Sequence, residues 1–224
     1  LKGATNDDLV ALNADDGSMY EMSRGPITDI LVDGIWAENG YTAVRLLSAG
    51  SPIRRIRLAN IFGTYRYNVV SFTNHKVHPG APSVFDDISI QGVFCAKAGP
   101  GPTALPVKPQ LAPIWIDAPA EVSNLSLRDY HRTEETVPVA DLHIAAGATV
   151  ANLVLSDISL RNRCQSPIDL VHNCGTIENL ALQSVYATAE PAASGGSVVR
   201  NEGTVSHFSQ SGIGGSGLTL GTGL

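Results

Sequence analysis

Apolar residues recur along this chain in a fixed five-position pattern. One apolar residue is followed three positions on by another and two positions on by a third. A small or polar residue and a final apolar one close the group. Seven segments follow this pattern: Ile27-Ile30-Val32-Gly34-Ile35, Ile53-Ile56-Leu58-Asn60-Ile61, Phe85-Ile88-Ile90-Gly92-Val93, Val122-Leu125-Leu127-Asp129-Tyr130, Val150-Leu153-Leu155-Asp157-Ile158, Ile177-Leu180-Leu182-Ser184-Val185 and Val205-Phe208-Gln210-Gly212-Ile213. From one second apolar position to the next, Ile30 through Phe208, the intervals are 26, 32, 37, 28, 27 and 28 residues. Alternation by two within each segment predicts a strand with one buried face. The Asn, Asp, Gly or Ser near its end predicts a turn of the chain.

A second, shorter apolar run follows in each unit: Leu9-Val10-Ala11-Leu12, Ala43-Val44-Arg45-Leu46, Val69-Val70-Ser71-Phe72, Pro113-Ile114-Trp115-Ile116, Asp141-Leu142-His143-Ile144, Pro167-Ile168-Asp169-Leu170 and Ser197-Val198-Val199-Arg200. Two strands and several turns within roughly 30 residues make one coil of a solenoid, which closes its core only by stacking on its neighbours. The fold expected is all-β: a right-handed parallel β-helix of about seven to eight coils. It forms a single domain over residues 1–224, expected to be the C-terminal part of a longer rod. The wide intervals place inserted loops near 76–84 and 96–112.

Composition agrees with this. Glycine (22) and proline (13) are abundant, as a turn-rich fold requires. A formal charge of −6 without a basic cluster speaks against nucleic acid, and no apolar run is long enough to enter a bilayer as a helix. Three cysteines, Cys95, Cys164 and Cys174, form no disulfide framework. Buried thiols and a Cys164–Cys174 bridge both remain open.

The stretch Thr5-Asn6-Asp7-Asp8-Leu9-Val10-Ala11-Leu12-Asn13 resembles the Asp-Asp strand of polygalacturonase-like glycoside hydrolases, and the repeat resembles the pectin-lyase-like β-helix superfamily. The resemblance implies a polysaccharide-cleaving, inverting hydrolase with Asp7 and Asp8 as catalytic carboxyls. The family's histidine stretch corresponds to Gly40-Tyr41-Thr42-Ala43, which has no histidine, and Arg45 stands one coil before the family's Arg-x-Lys strand. The alternative is a non-catalytic glycan-binding, tailspike-like or structural module.

If the central apolar residue of each short strand points inward, the next points out. That column reads Ala11, Arg45, Ser71, Trp115, His143, Asp169, with Asn13, Thr73, Asp117 and Asn201 two positions further on. An indole can stack on a sugar ring, and the polar groups can bond its hydroxyls. Tyr41, Arg45, Ser71, Trp115, Asp117, His143 and Asp169 are therefore the candidate substrate-binding residues. Polar residues on this face are equally what any solvated solenoid shows. His75 and His78 lack an evident third metal ligand, and Asp15-Asp16-Gly17-Ser18 reads as a turn, so no metal or cofactor is expected. The expected partner is a polysaccharide or oligosaccharide, the expected location extracellular or at a cell or virion surface, and the expected assembly a homotrimer.

Overall fold

The computed structural model describes residues 1–15, 24–75, 80–99, 108, 110–191, 194–222 and 224. The long segments form strands β2 (Ile27–Gly40), β4 (Ile53–Tyr65), β6 (Ser83–Lys97), β8 (Ala120–Glu134), β10 (Thr149–Asn162), β12 (Thr176–Ala189) and β14 (Thr204–Ser216). The short ones form β1 (Val10–Asn13), β3 (Val44–Leu47), β5 (Val70–Thr73), β7 (Ile114–Ile116), β9 (Leu142–Ile144), β11 (Val171–Asn173), β13 (Gly196–Asn201) and β15 (Leu218–Thr222). Even-numbered strands stack in one parallel sheet of seven, odd-numbered strands in another of eight. The chain is a parallel β-helix. Seven strands stacked on one side enclose six intervals, so the rod makes about six full turns, slightly fewer than the repeat count predicts.

The register of the long sheet is the one the apolar pattern prescribes. Ile27, Ile53, Phe85, Val122, Val150, Ile177 and Val205 pair in sequence, as do Ile30, Ile56, Ile88, Leu125, Leu153, Leu180 and Phe208. These columns belong to one continuous apolar core, partly uncovered at both ends, at Ile27, Ile30 and Val32 and at Val205, Phe208 and Ile213. The strands bend at the small or polar position of the pattern. Gly34, Asn60, Gly92, Asp129, Asp157, Ser184 and Gly212 all have φ between 52° and 76°. Side chains with a Cβ tolerate that left-handed conformation poorly, Asn and Asp best among them.

The short sheet departs from expectation at two strands, by three residues at β11 and by one at β13. Val171, His172 and Asn173, not Ile168, Asp169 and Leu170, pair with Leu142, His143 and Ile144. The run Ile168-Asp169-Leu170-Val171-His172-Asn173 contains two adjacent apolar residues and so permits two registers. Ile168 packs in a separate cluster with Leu160, Cys164 and Ala187, and the strand forms three residues later. The outward column is therefore Ala11, Arg45, Ser71, Trp115, His143, His172, Arg200. Asp169 is not part of it, and Asn201 pairs with Asn173, one position short of the column containing Asp117. Of the expected loop near 76–84, Ser83 and Val84 already belong to β6; most of 96–112, with Lys76, His78 and Asp16 to Ser18, lies outside the described residues. All three cysteines are free thiols.

Candidate functional site

Parallel stacking places residues of equal register about 4.8 Å apart along the rod. Four consecutive coils thereby line one groove of about 340 Å³ with Asp8, Tyr41, Thr42, Arg45, Tyr67, Asn68, Ser71, Thr73, His75, Leu111, Trp115 and Asp117. Five of the seven expected binding residues are here: Tyr41, Arg45, Ser71, Trp115 and Asp117. His143 continues the column beyond the groove. Asp169 lies apart, its Oδ1 accepting from the Ser197 amide at 2.8 Å in a turn between coils.

The two aspartates of the Asp-Asp strand differ. Asp7 is exposed, and its Oδ1 accepts from the Asp8 amide at 2.8 Å, a local turn-capping contact. The Asp8 side chain is only 3% exposed and meets Arg45, with Oδ2 3.0 Å from Nε. Burial pushes its carboxyl above the ordinary value, against the pull of the Arg45 charge and the Thr42 hydroxyl. Charge attraction joins the pair, but the approach is not that of an aligned hydrogen bond. Among the described residues, Asp8 Oδ2 and Arg45 Nε are buried without a hydrogen-bond partner. Such groups carry a desolvation cost that a ligand hydroxyl could relieve.

Aromatic rings line the same groove. Tyr41 stacks on Tyr67 with centroids 3.9 Å apart, and the Arg66 guanidinium lies 5.7 Å from the Tyr41 ring. Burial, with Tyr67 and the two aspartates, pushes the Tyr41 phenol up to about 12, so it is a hydrogen-bond donor at neutral pH. Trp115 stacks on His143 at 4.2 Å. On its other side the same column holds Ser71, a small residue, which leaves groove space beside the indole. Burial and the neighbouring His172 push His143 down to about 4, keeping its imidazole neutral at physiological pH.

Two hollows elsewhere gather less chemistry. One of about 460 Å³ beside Lys2, Trp36 and Glu38 contains neither a buried ion pair nor a histidine. Another, of about 260 Å³, lies along Asn124 and Asn152, whose side chains belong to an amide ladder ending at Asn179. That ladder occupies Asn124, the asparagine of a glycosylation-like triplet.

Sequence reasoning did not anticipate Tyr67, Asn68, Thr42 or Leu111 as groove residues. Tyr67 and Asn68 sit in the turn that leads into β5, where no period marks them. It also missed His172, Cys174 and Glu202 beside His143. The slipped register of β11 concealed them. No protein-family model, curated protein or solved structure matches this chain.

Proposed function

We propose that the groove binds a segment of a linear oligosaccharide or polysaccharide. The observation that carries this reading is the Asp8–Arg45 pair, whose buried Oδ2 and Nε have unused hydrogen-bonding capacity, lining one groove with the stacked tyrosines and the indole of Trp115. Sugars offer the complementary features, hydroxyls for the ion pair and a C–H face for an aromatic ring. The rod supplies rigidity, so the site needs little ordering on binding. The stack of rings on the other sheet is a poorer candidate. Phe62, Phe94 and His131 stack on one another at 5.5 and 4.5 Å, so their faces are already covered.

A second reading, hydrolysis with Asp8 as general acid, is favoured by one observation: burial raises the Asp8 carboxyl, the direction an acid catalyst needs. Against it stands carboxylate placement. The groove's other carboxylate, Asp117, lies three coils away, about 14 Å along the rod at strand spacing, whereas inverting pairs stand about 6.5–9.5 Å apart. Asp7 is the adjacent alternative.

A glycan array followed by calorimetry tests the reading. A hit should weaken at least about tenfold in Arg45→Ala, the loss expected for a charged hydrogen bond, and less in Trp115→Ala. No hit, or unchanged affinity in both variants, would sink it. Chromatography of the bound glycan distinguishes the two readings: an intact ligand supports binding, whereas shortened products lost in Asp8→Asn support hydrolysis. A trimer and a surface location belong to the same proposal, and light scattering measures the former.

A further inference from the structure

We propose that His143, His172, Cys174 and Glu202 form a binding site for Zn²⁺ on the outer face of the rod. The proposal is independent of the glycan groove. It rests on the register. His143 and His172 are paired residues on adjacent strands, β9 and β11. Cys174 follows β11 two residues after His172, which returns its side chain to the same face. Glu202 follows β13, one residue after Asn201, the partner of Asn173, so it stands beside Cys174 on the next coil. Three consecutive coils thus deliver two imidazoles, a thiol and a carboxylate to one place.

The donors form two overlapping triads that share His172 and Cys174. One donor atom each from His143, His172 and Cys174 lies within 4.8 Å of the others. His172 Nε2 is 3.3 Å from Cys174 Sγ and 3.1 Å from Glu202 Oε2, and Cys174 Sγ is 3.7 Å from the same oxygen. A tetrahedral zinc ion with ordinary bond lengths separates such donors by roughly 3.4–3.6 Å. Small side-chain shifts would bring this set onto a metal. The remaining carboxylate oxygen of Glu202, Oε1, accepts from Arg200 Nε at 2.9 Å, which turns Oε2 toward the histidine and the thiol. Such a partner outside the ligand set is what orients metal carboxylates. Imidazole plus thiolate selects zinc over magnesium and calcium, which prefer all-oxygen cages. Binding replaces the thiol proton with a metal–sulfur bond and releases that proton to solvent.

The test uses tag-free full-length chain treated with chelator and then titrated with Co²⁺ as a spectroscopic substitute. One equivalent should bind, with a thiolate-to-cobalt charge-transfer band that added Zn²⁺ abolishes. Cys174→Ser should remove the band, and His143→Gln should weaken binding by at least about tenfold, by analogy with losses for supporting residues. In unsubstituted protein, Zn²⁺ should slow alkylation of Cys174, the one cysteine that is not buried; this holds even if a variant fails to fold. Absence of the band, its persistence in Cys174→Ser, or alkylation indifferent to Zn²⁺ would overturn the site.

Discussion

At the scale of single residues, the most consequential group is a buried ionic cluster inside the coil formed by β8. Arg132 donates to Glu134 Oε2 at 2.8 Å and to Asp141 Oδ1 at 3.0 Å, with all three side chains out of water. Tyr130 also donates to Asp141, at 2.7 Å. For Glu134, burial pushes the carboxyl up, but the Arg132 charge and the amides of Lys97, Val137 and Thr136 outweigh it and hold it below its ordinary value. Removing the cation leaves two buried carboxyls uncompensated. Arg132→Leu should therefore cost about 3–5 kcal/mol, read as a fall in the denaturant midpoint. A loss under 1 kcal/mol would show that the cluster is not closed to water. Nearby, the Lys97 ammonium donates to the carbonyls of Arg66 and Lys108, at 3.2 and 3.3 Å, and to that of Tyr67. Burial and the Arg132 charge push it down from 10.5 to about 7. Between those values the unfolded chain binds more protons than the folded one, so this group makes stability rise with pH. Cys95 acts oppositely above 9, because burial pushes its thiol up to about 12. Lys97→Met should thus lose a stability gain present in the unsubstituted protein between pH 7 and 9. Parallel stability-versus-pH curves for the two proteins would refute it.

At the scale of elements, the left-handed corner decides where each long strand bends. Its seven occupants are three glycines, one asparagine, two aspartates and one serine, all at positive φ. This chemistry was legible in the sequence because the corner residue falls at a constant offset from the apolar positions, which tie it to the core. The long-sheet register was legible for the same reason: a slip of one residue would turn a row such as Ile56, Leu58 and Ile61 away from the core. The short strands carried less information. Three residues with only one inward apolar side chain, as in β11, leave register to be chosen by packing beyond the strand, here the placement of Ile168 among Leu160, Cys164 and Ala187. The groove was legible on the strands, at Arg45, Ser71 and Trp115, and just beyond their ends, at Asp8, Tyr41 and Asp117, but hidden at Tyr67 and Asn68, turn residues that no period marks. The corner offers a direct check. Asp157 is exposed with φ 55°, so Asp157→Gly should be tolerated while Asp157→Val costs about 1–2 kcal/mol from the forced left-handed backbone. Equal midpoints for the two variants would contradict the account of the bend.

At the scale of the whole molecule, each coil touches chiefly the coil before and the coil after it. The heaviest contacts join consecutive even-numbered strands, and the two sheets hold no pairing that skips a coil. Stability in such an array is approximately a sum of coil terms and nearest-neighbour interfaces. A large core deletion should then act locally. Leu155 is fully buried in β10, stacked between Leu127 and Leu182. Leu155→Ala removes apolar contact and leaves a cavity, a loss of about 2–5 kcal/mol in a well-packed core. Amide exchange should quicken most in β8, β10 and β12, the coils that share the cavity, and little in β4 and β2, two and three coils beyond β8. Amides unprotected by the substitution would then fall on both sides of the zinc ligands of β9 and β11 while sparing the Asp8–Arg45 end of the groove. Metal affinity should drop and glycan affinity should hold. A uniform rise in exchange along the rod would show instead that the coils unfold as one unit, and the two sites would then weaken together.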